Sequence, residues 1–185
     1  MKKIAITGSH GVVGTVLKKR LSEYSITPLD LPKVDVRNYS KLLKIFPGHD
    51  VIIHLAWKST TDNFISDTID IDNTKMFLHV YKVAVASGVK RVIMASSIHA
   101  KDNTPYAAHK RLMEDLGKYY SKKYNLDVFC IRFGGINAQN SPSIPEKDYK
   151  KIWLSHNDCV ALVRSCIDTP IVPGRFQIIT GISKK

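Results

Sequence analysis

A chain of 185 residues with 44% apolar and 24% charged side chains is sized and composed for one buried core. It has no apolar run near the roughly 18 to 20 residues of a membrane span; three cysteines without a CxxC pair suggest neither a disulfide framework nor a metal site, so a cytoplasmic protein without membrane or metal is expected. The net charge of +12 lies along helical faces (Lys18, Lys19, Arg20; Lys122, Lys123; Lys150, Lys151) without interleaved aromatic platforms, a pattern that points away from nucleic acid and toward small anionic substrates.

The first strand is expected at KIAIT, 3–7. Two lysines precede it as in a signal peptide, but Gly and His interrupt the apolar run after five residues. Glycines at Gly8, Gly11 and Gly14 follow, and a helix over 12–24 carries Val12, Val13, Val16, Leu17 and Leu21 at helical spacing. Strands are read at 25–30, 50–56, 91–96, 127–133 and 175–180, with helices at 38–46, 64–87, 104–124 and 156–168 between them. This alternation predicts βαβ units in a parallel sheet, and strands apolar at nearly every position predict helices on both faces. The segment 134–149, rich in Gly, Asn, Ser and Pro, reads as a surface loop or as a cover over a ligand site at the carboxyl end of the fifth strand.

Glycines that close a strand and open a helix permit a tight turn, a close backbone approach to a pyrophosphate and close helix-to-strand packing, while the helix N-terminus offers unpaired N–H groups to an anion. A ligand-free turn is the plainer alternative. Asp30 ends the second strand 22 residues after Gly8, about where a carboxylate receives an adenosine ribose and repels a 2′-phosphate, favouring NAD over NADP; PLDLP is equally a good turn sequence. Asp35 with Val36 is placed to meet the adenine edge.

Tyr106 and Lys110 stand four apart on one helix face, near an N-terminus capped by Thr104 with Pro105 at its first position. Lys110 and the helix N-terminus are expected to pull the phenol below its ordinary value of about 10, a shift to neutrality that requires about 4 kcal/mol. Alone, such a pair is usually a surface pair. Ser96 and Ser97, just past the fourth strand, lie at the same sheet edge.

Taken in order, TGSHGVVG, Asp30, DVRN, IIHLAW, ASS, YAAHK and IRFGGINA resemble the extended short-chain dehydrogenase/reductases, the NAD-dependent epimerase/dehydratases, over nearly the whole chain. The resemblance implies a Rossmann-type, doubly wound α/β fold. It implies NAD held by Gly8, Gly11, Val12, Val13, Gly14, Asp30, Asp35, Val36, Leu55, Ala56, Tyr106 and Lys110. It also implies Ser97, Tyr106 and Lys110 as the catalytic set: Tyr106 the general acid/base, Lys110 on the nicotinamide ribose, Ser97 orienting the substrate. WLSHNDCVALVRSCID and FQIITGISKK are similar to segments of uronate dehydrogenase-like sugar dehydrogenases; within that likeness HLAWKS puts Ser59 beside a sugar substrate, and Asn137 is expected there too.

Three departures from the family bear on the substrate. Segment 134–149 holds no arginine for a sugar carboxylate, leaving Lys147, Lys150 or Lys151 as imperfect substitutes; the link from Ser97 to Tyr106 is shorter than the substrate-binding loop the resemblance implies; and the end at Lys185 implies a much reduced C-terminal substrate lobe. The expected activity is NAD-dependent oxidation of a sugar, with nucleotide-sugar epimerisation and a non-catalytic NAD-binding module as alternatives. A homodimer through 64–87 and 104–124 is compatible with apolar positions such as Val80, Val83, Leu112 and Leu116, which burial within one chain explains equally.

Overall fold

The computed structural model describes residues 1–58, 70–143 and 148–184. In chain order its elements are β1 (Lys3–Thr7), α1 (Val12–Arg20), β2 (Ser25–Leu29), α2 (Tyr39–Ile45), β3 (Val51–His54), α3 (Ile71–Ala86), β4 (Arg91–Ser97), α4 (Pro105–Tyr124), β5 (Asp127–Phe133), α5 (Tyr149–Ile152), α6 (His156–Asp168) and β6 (Phe176–Gly181). A 3₁₀ turn, Ile98–Lys101, joins β4 to α4.

All six strands are parallel, in the order β2-β1-β3-β4-β5-β6. Strand alternation sends Ile4, Ile6, Ile53, Ile93, Phe129 and Ile131 to a core shared with α1 and α6, and Ala5, Ile52, Val92, Met94, Val128 and Cys130 to a second core under α2, α3 and α4. This is the doubly wound Rossmann-type arrangement. Winding reverses between β1 and β3, so a crevice opens at their carboxyl ends, the ordinary ligand position of such sheets.

The expected elements are present with shifted ends. α1 stops at Arg20 because Leu21 leaves the helix after donating to Leu17 O, and the chain turns to bury Tyr24, whose hydroxyl donates to Asp168 at 2.7 Å. α3 starts at Ile71, where Asp70 accepts from the Asp72 N–H; the earlier part of the expected helix, 64–69, lies outside the described residues. The 3₁₀ turn and α5 were not foreseen: four residues are too few to show a helical period.

The amino ends of the strands are tied by charge. Asp127, fully buried, accepts from Arg91 at 2.5 and 3.1 Å and from Arg175 at 2.6 and 2.8 Å, while Arg91 also donates to the carbonyls of Cys166 and Ile167. A buried carboxylate is tolerable only when its lone pairs are filled in this way.

Candidate active site

The carboxyl ends of β1 and β3 meet at Thr7 and His54, which are register partners and share a hydrogen bond of 2.7 Å. Burial pushes the His54 pKa down to about 3, so the ring is a neutral strut. Past Thr7 the chain enters the glycine turn. Gly8 has φ +68°, and a Cβ there would lie 2.5 Å from Ala56 N; at Gly14 a Cβ would lie 2.5 Å from Gly8 O. Packing therefore demands both glycines. Gly11 differs: a Cβ would meet only Gly8 O, at an ordinary 3.5 Å, and its backbone is extended at φ −65°.

Gly11 is thus bare at a spot where the protein itself needs no space. It caps α1 without a side-chain hydrogen bond, so the first N–H groups of the helix, Val12 and Val13 among them, lack an intrahelical acceptor. The cradle fits a ligand diphosphate.

A cavity of about 430 Å³ opens beside this turn, lined by Gly8, Gly11, Asp30, Val36, Ala56 and Trp57 among others. Of its carboxylates, Asp35 is gripped by Arg37, with Nη2 at 2.7 Å, and is held below the usual carboxylate range by that guanidinium. Asp72 is taken by Arg37 at 2.8 Å and Lys58 at 3.0 Å. Asp30 instead accepts from two backbone N–H groups, His10 at 2.7 Å and Leu31 at 2.9 Å, with the His10 ring 3.9 Å away. Val36 is buried against the same cavity, and Leu55 and Ala56 form its floor beyond β3. Asp35 therefore lines the expected adenine side with its carboxylate already committed to Arg37.

Ser97, Tyr106 and Lys110 come together at the end of β4 and the first turns of α4. Thr104 accepts from Ala107 N at 3.1 Å, and Pro105 opens the helix, as expected. Lys110 is 4% exposed; its Nζ donates to Ala95 O at 2.9 Å, lies 5.4 Å from the Tyr106 ring centroid and 3.8 Å from that of Trp57. The expected depression of the tyrosine does not occur. Burial raises the Tyr106 pKa, against a smaller downward pull from the hydrogen bond with Ser97, and burial brings Lys110 itself down to about 7. A lysine that sheds its own charge near neutrality is a weak source of the field the sequence reading required of it.

The two serines divide. Ser96 donates to Glu114 Oε1 at 2.5 Å, in a buried network where Arg132 grips both Glu114 oxygens at 2.8 and 2.7 Å. Ser97 accepts from His99 N at 3.1 Å and faces Tyr106. Glu114, one turn past Lys110, went unremarked in the sequence although the i, i+4 spacing was visible.

On the substrate side, Asn137, expected beside a sugar, donates to Ser141 O at 2.7 Å and Tyr149 Oη at 3.0 Å and accepts from Ser141 N, so its amide is engaged within its own loop. Ser59 and Lys147 lie outside the described residues. Trp57 and Arg37, which stand within IIHLAW and DVRN but were given no role of their own, both line the cavity.

The model of the NAD dependent epimerase/dehydratase family matches residues 4–152. The chain is 25% identical to an L-arabinose 1-dehydrogenase (NAD(P)(+)) of Haloferax volcanii, over 92% of this chain and 84% of that protein. It is 27% identical to a uronate dehydrogenase of Pseudomonas putida, over 91% and 72%. The solved glucuronic acid dehydrogenase of Chromohalobacter salexigens superposes with a TM-score of 0.82 at 20% identity, over 98% of this chain and 77% of that one, a likeness of fold.

Proposed function

Because the chain belongs to the NAD dependent epimerase/dehydratase family, with NAD as its cofactor, we propose that it is a sugar dehydrogenase that oxidises a free-sugar alcohol with Ser97, Tyr106 and Lys110 as its catalytic residues. The carrying observation is the convergence of these three side chains at the sheet edge that also holds the glycine turn. Bound NAD supplies the hydride acceptor.

Gly11 and the N-terminus of α1 seat the diphosphate, and Asp30 accepts from the adenosine ribose hydroxyls. Tyr106 takes the proton of the substrate hydroxyl as general base, and Ser97 donates to the same oxygen and fixes its position. Lys110 holds the second ribose, and the hydrogen bond from Ser97 favours the ionised tyrosine. Free sugars are favoured by the relatives' names, arabinose and uronate dehydrogenases. The uronate carboxylate is the weaker candidate, since segment 134–149 contains no arginine.

The test is NADH absorbance with aldoses, uronic acids, sugar phosphates and UDP-sugars. NADH formed with a free sugar, and lost in Tyr106→Phe while NAD binding persists, supports the reading. Inversion of a UDP-sugar without net NADH replaces it with an epimerase. NAD binding without turnover on any substrate leaves a binding module in its place.

A further inference from the structure

The dinucleotide cavity and the Ser97–Tyr106–Lys110 cluster meet at one side chain. Trp57 lines the cavity with Gly8, Gly11 and Asp30, whereas Ser97, Tyr106 and Lys110 do not. Its ring packs edge-on against Tyr106, with centroids 5.5 Å apart and planes at 81°, and against His109 at 5.7 Å and 86°. Lys110 Nζ sits 3.8 Å from the indole centroid. The indole therefore stands between the glycine turn and the tyrosine.

Packing alone is a poor account of this placement. Trp57 lies three residues past His54, the last of β3, outside the sheet ladder, and its indole N–H is buried without an acceptor among the described residues, a group that folded proteins ordinarily satisfy. The Lys110 amine that rests on its face is the group proposed to hold the nicotinamide-side ribose. An ammonium already committed to Ala95 O and to a desolvated aromatic face has to give up the second contact before it can serve a ribose diol.

We infer that Trp57 is a positioning residue that divides cofactor entry into two steps: the adenosine half binds in the open cavity, and the nicotinamide half reaches Tyr106 only when the indole leaves Lys110. This rests on the NAD reading above. A full dinucleotide bears the loss of the indole contact, and AMP, confined to the adenosine side, does not.

The experiment is calorimetric titration of the full chain, wild type, Trp57→Phe and Trp57→Ala, with AMP and with NAD. AMP affinity is expected to stay within about twofold throughout, while NAD binds about tenfold more tightly to Trp57→Ala, with Trp57→Phe between, as a lost cation–π contact implies. NAD affinity that is unchanged or weaker in Trp57→Ala, with AMP binding retained, overturns the inference. The chain has two tryptophans, so Trp153→Phe isolates the Trp57 emission without disturbing it. That emission is expected to shift with NAD and to stay constant with AMP, and no shift at saturating NAD also overturns the inference. Failure of both ligands to bind the wild type removes the NAD reading itself, a result distinct from a passive indole, for which both ligands bind and Trp57 reports neither.

Discussion

Ser96 donates its hydroxyl proton to Glu114 across 2.5 Å, so the neighbouring Ser97 is the serine that faces Tyr106. The two alanine variants should therefore separate. Ser97→Ala is expected to lower kcat about 10²-fold, the scale of a lost hydrogen-bond donor to the reacting oxygen, with about 1 kcal/mol of stability lost as the His99 N–H gives up its acceptor. Ser96→Ala is expected to cost about 1–2 kcal/mol of stability, the scale of a buried hydrogen bond, while the folded fraction keeps its turnover. Denaturant melts and steady-state rates on both variants check this, and a reversed pattern moves the substrate contact to Ser96.

Lys110 makes stability depend on pH. Burial holds its folded pKa near 7, below about 10.5 for an unfolded lysine. Between these values the unfolded chain binds a proton that the folded chain has released, so stability rises with pH; below 7 the burial penalty is present in full. Lys110→Met, similar in length and without charge, is expected to melt higher than wild type at pH 6–7, and its advantage is expected to shrink toward pH 10. An advantage constant across that range would mean that the amine carries no such penalty.

Gly11 and Gly14 are expected to fail differently on substitution by alanine. A Cβ at Gly14 would meet Gly8 O at 2.5 Å and Ser9 Cα at 2.7 Å, both backbone atoms that cannot yield cheaply, so Gly14→Ala should destabilise by about 1–3 kcal/mol. Gly11→Ala, with an extended backbone and an ordinary 3.5 Å neighbour, should fold normally and weaken NAD binding about tenfold or more by standing where a diphosphate approaches. Thermal melts and NAD titrations of the pair distinguish packing from binding.

Asp30 is expected to set cofactor choice. Asp30→Ser removes the negative charge while keeping a short acceptor for the turn, so the ratio of NAD to NADP affinity should fall about tenfold or more. Titration of both dinucleotides measures it, and an unchanged ratio would shift the discrimination to the Arg37–Asp35 pair beside it.

Much of this was open to reading before any coordinates. Strand runs such as DVFCIRF are apolar at almost every position, and their alternation with helical periods leaves few arrangements other than a covered parallel sheet. Tyr106 and Lys110 were visible for the same reason: four residues on a helix is a distance. Burial was not legible, and burial reversed the expected tyrosine shift, because desolvation depends on what Trp57 and Ala95 bring from other strands. Asp35 was placed at the adenine edge without its partner, Arg37, because that pair forms two residues apart in a turn whose shape has no period. Trp57 stood at the end of IIHLAW without a role, because its contacts with Tyr106, His109 and Lys110 come from a helix about 50 residues on.

The ion-pair cluster of Arg91, Asp127 and Arg175 lies at the strand ends opposite the glycine turn, and it gives the sheet one fastened margin and one unfastened margin. Amide exchange should accordingly be slowest near Asp127 and quickest in the carboxyl-end segments 98–104 and 134–143. Residues of those segments can then be exchanged for others without loosening the fastening. A protein built this way can acquire a new substrate and keep its thermal limit, since the two properties are written at opposite ends of the same strands.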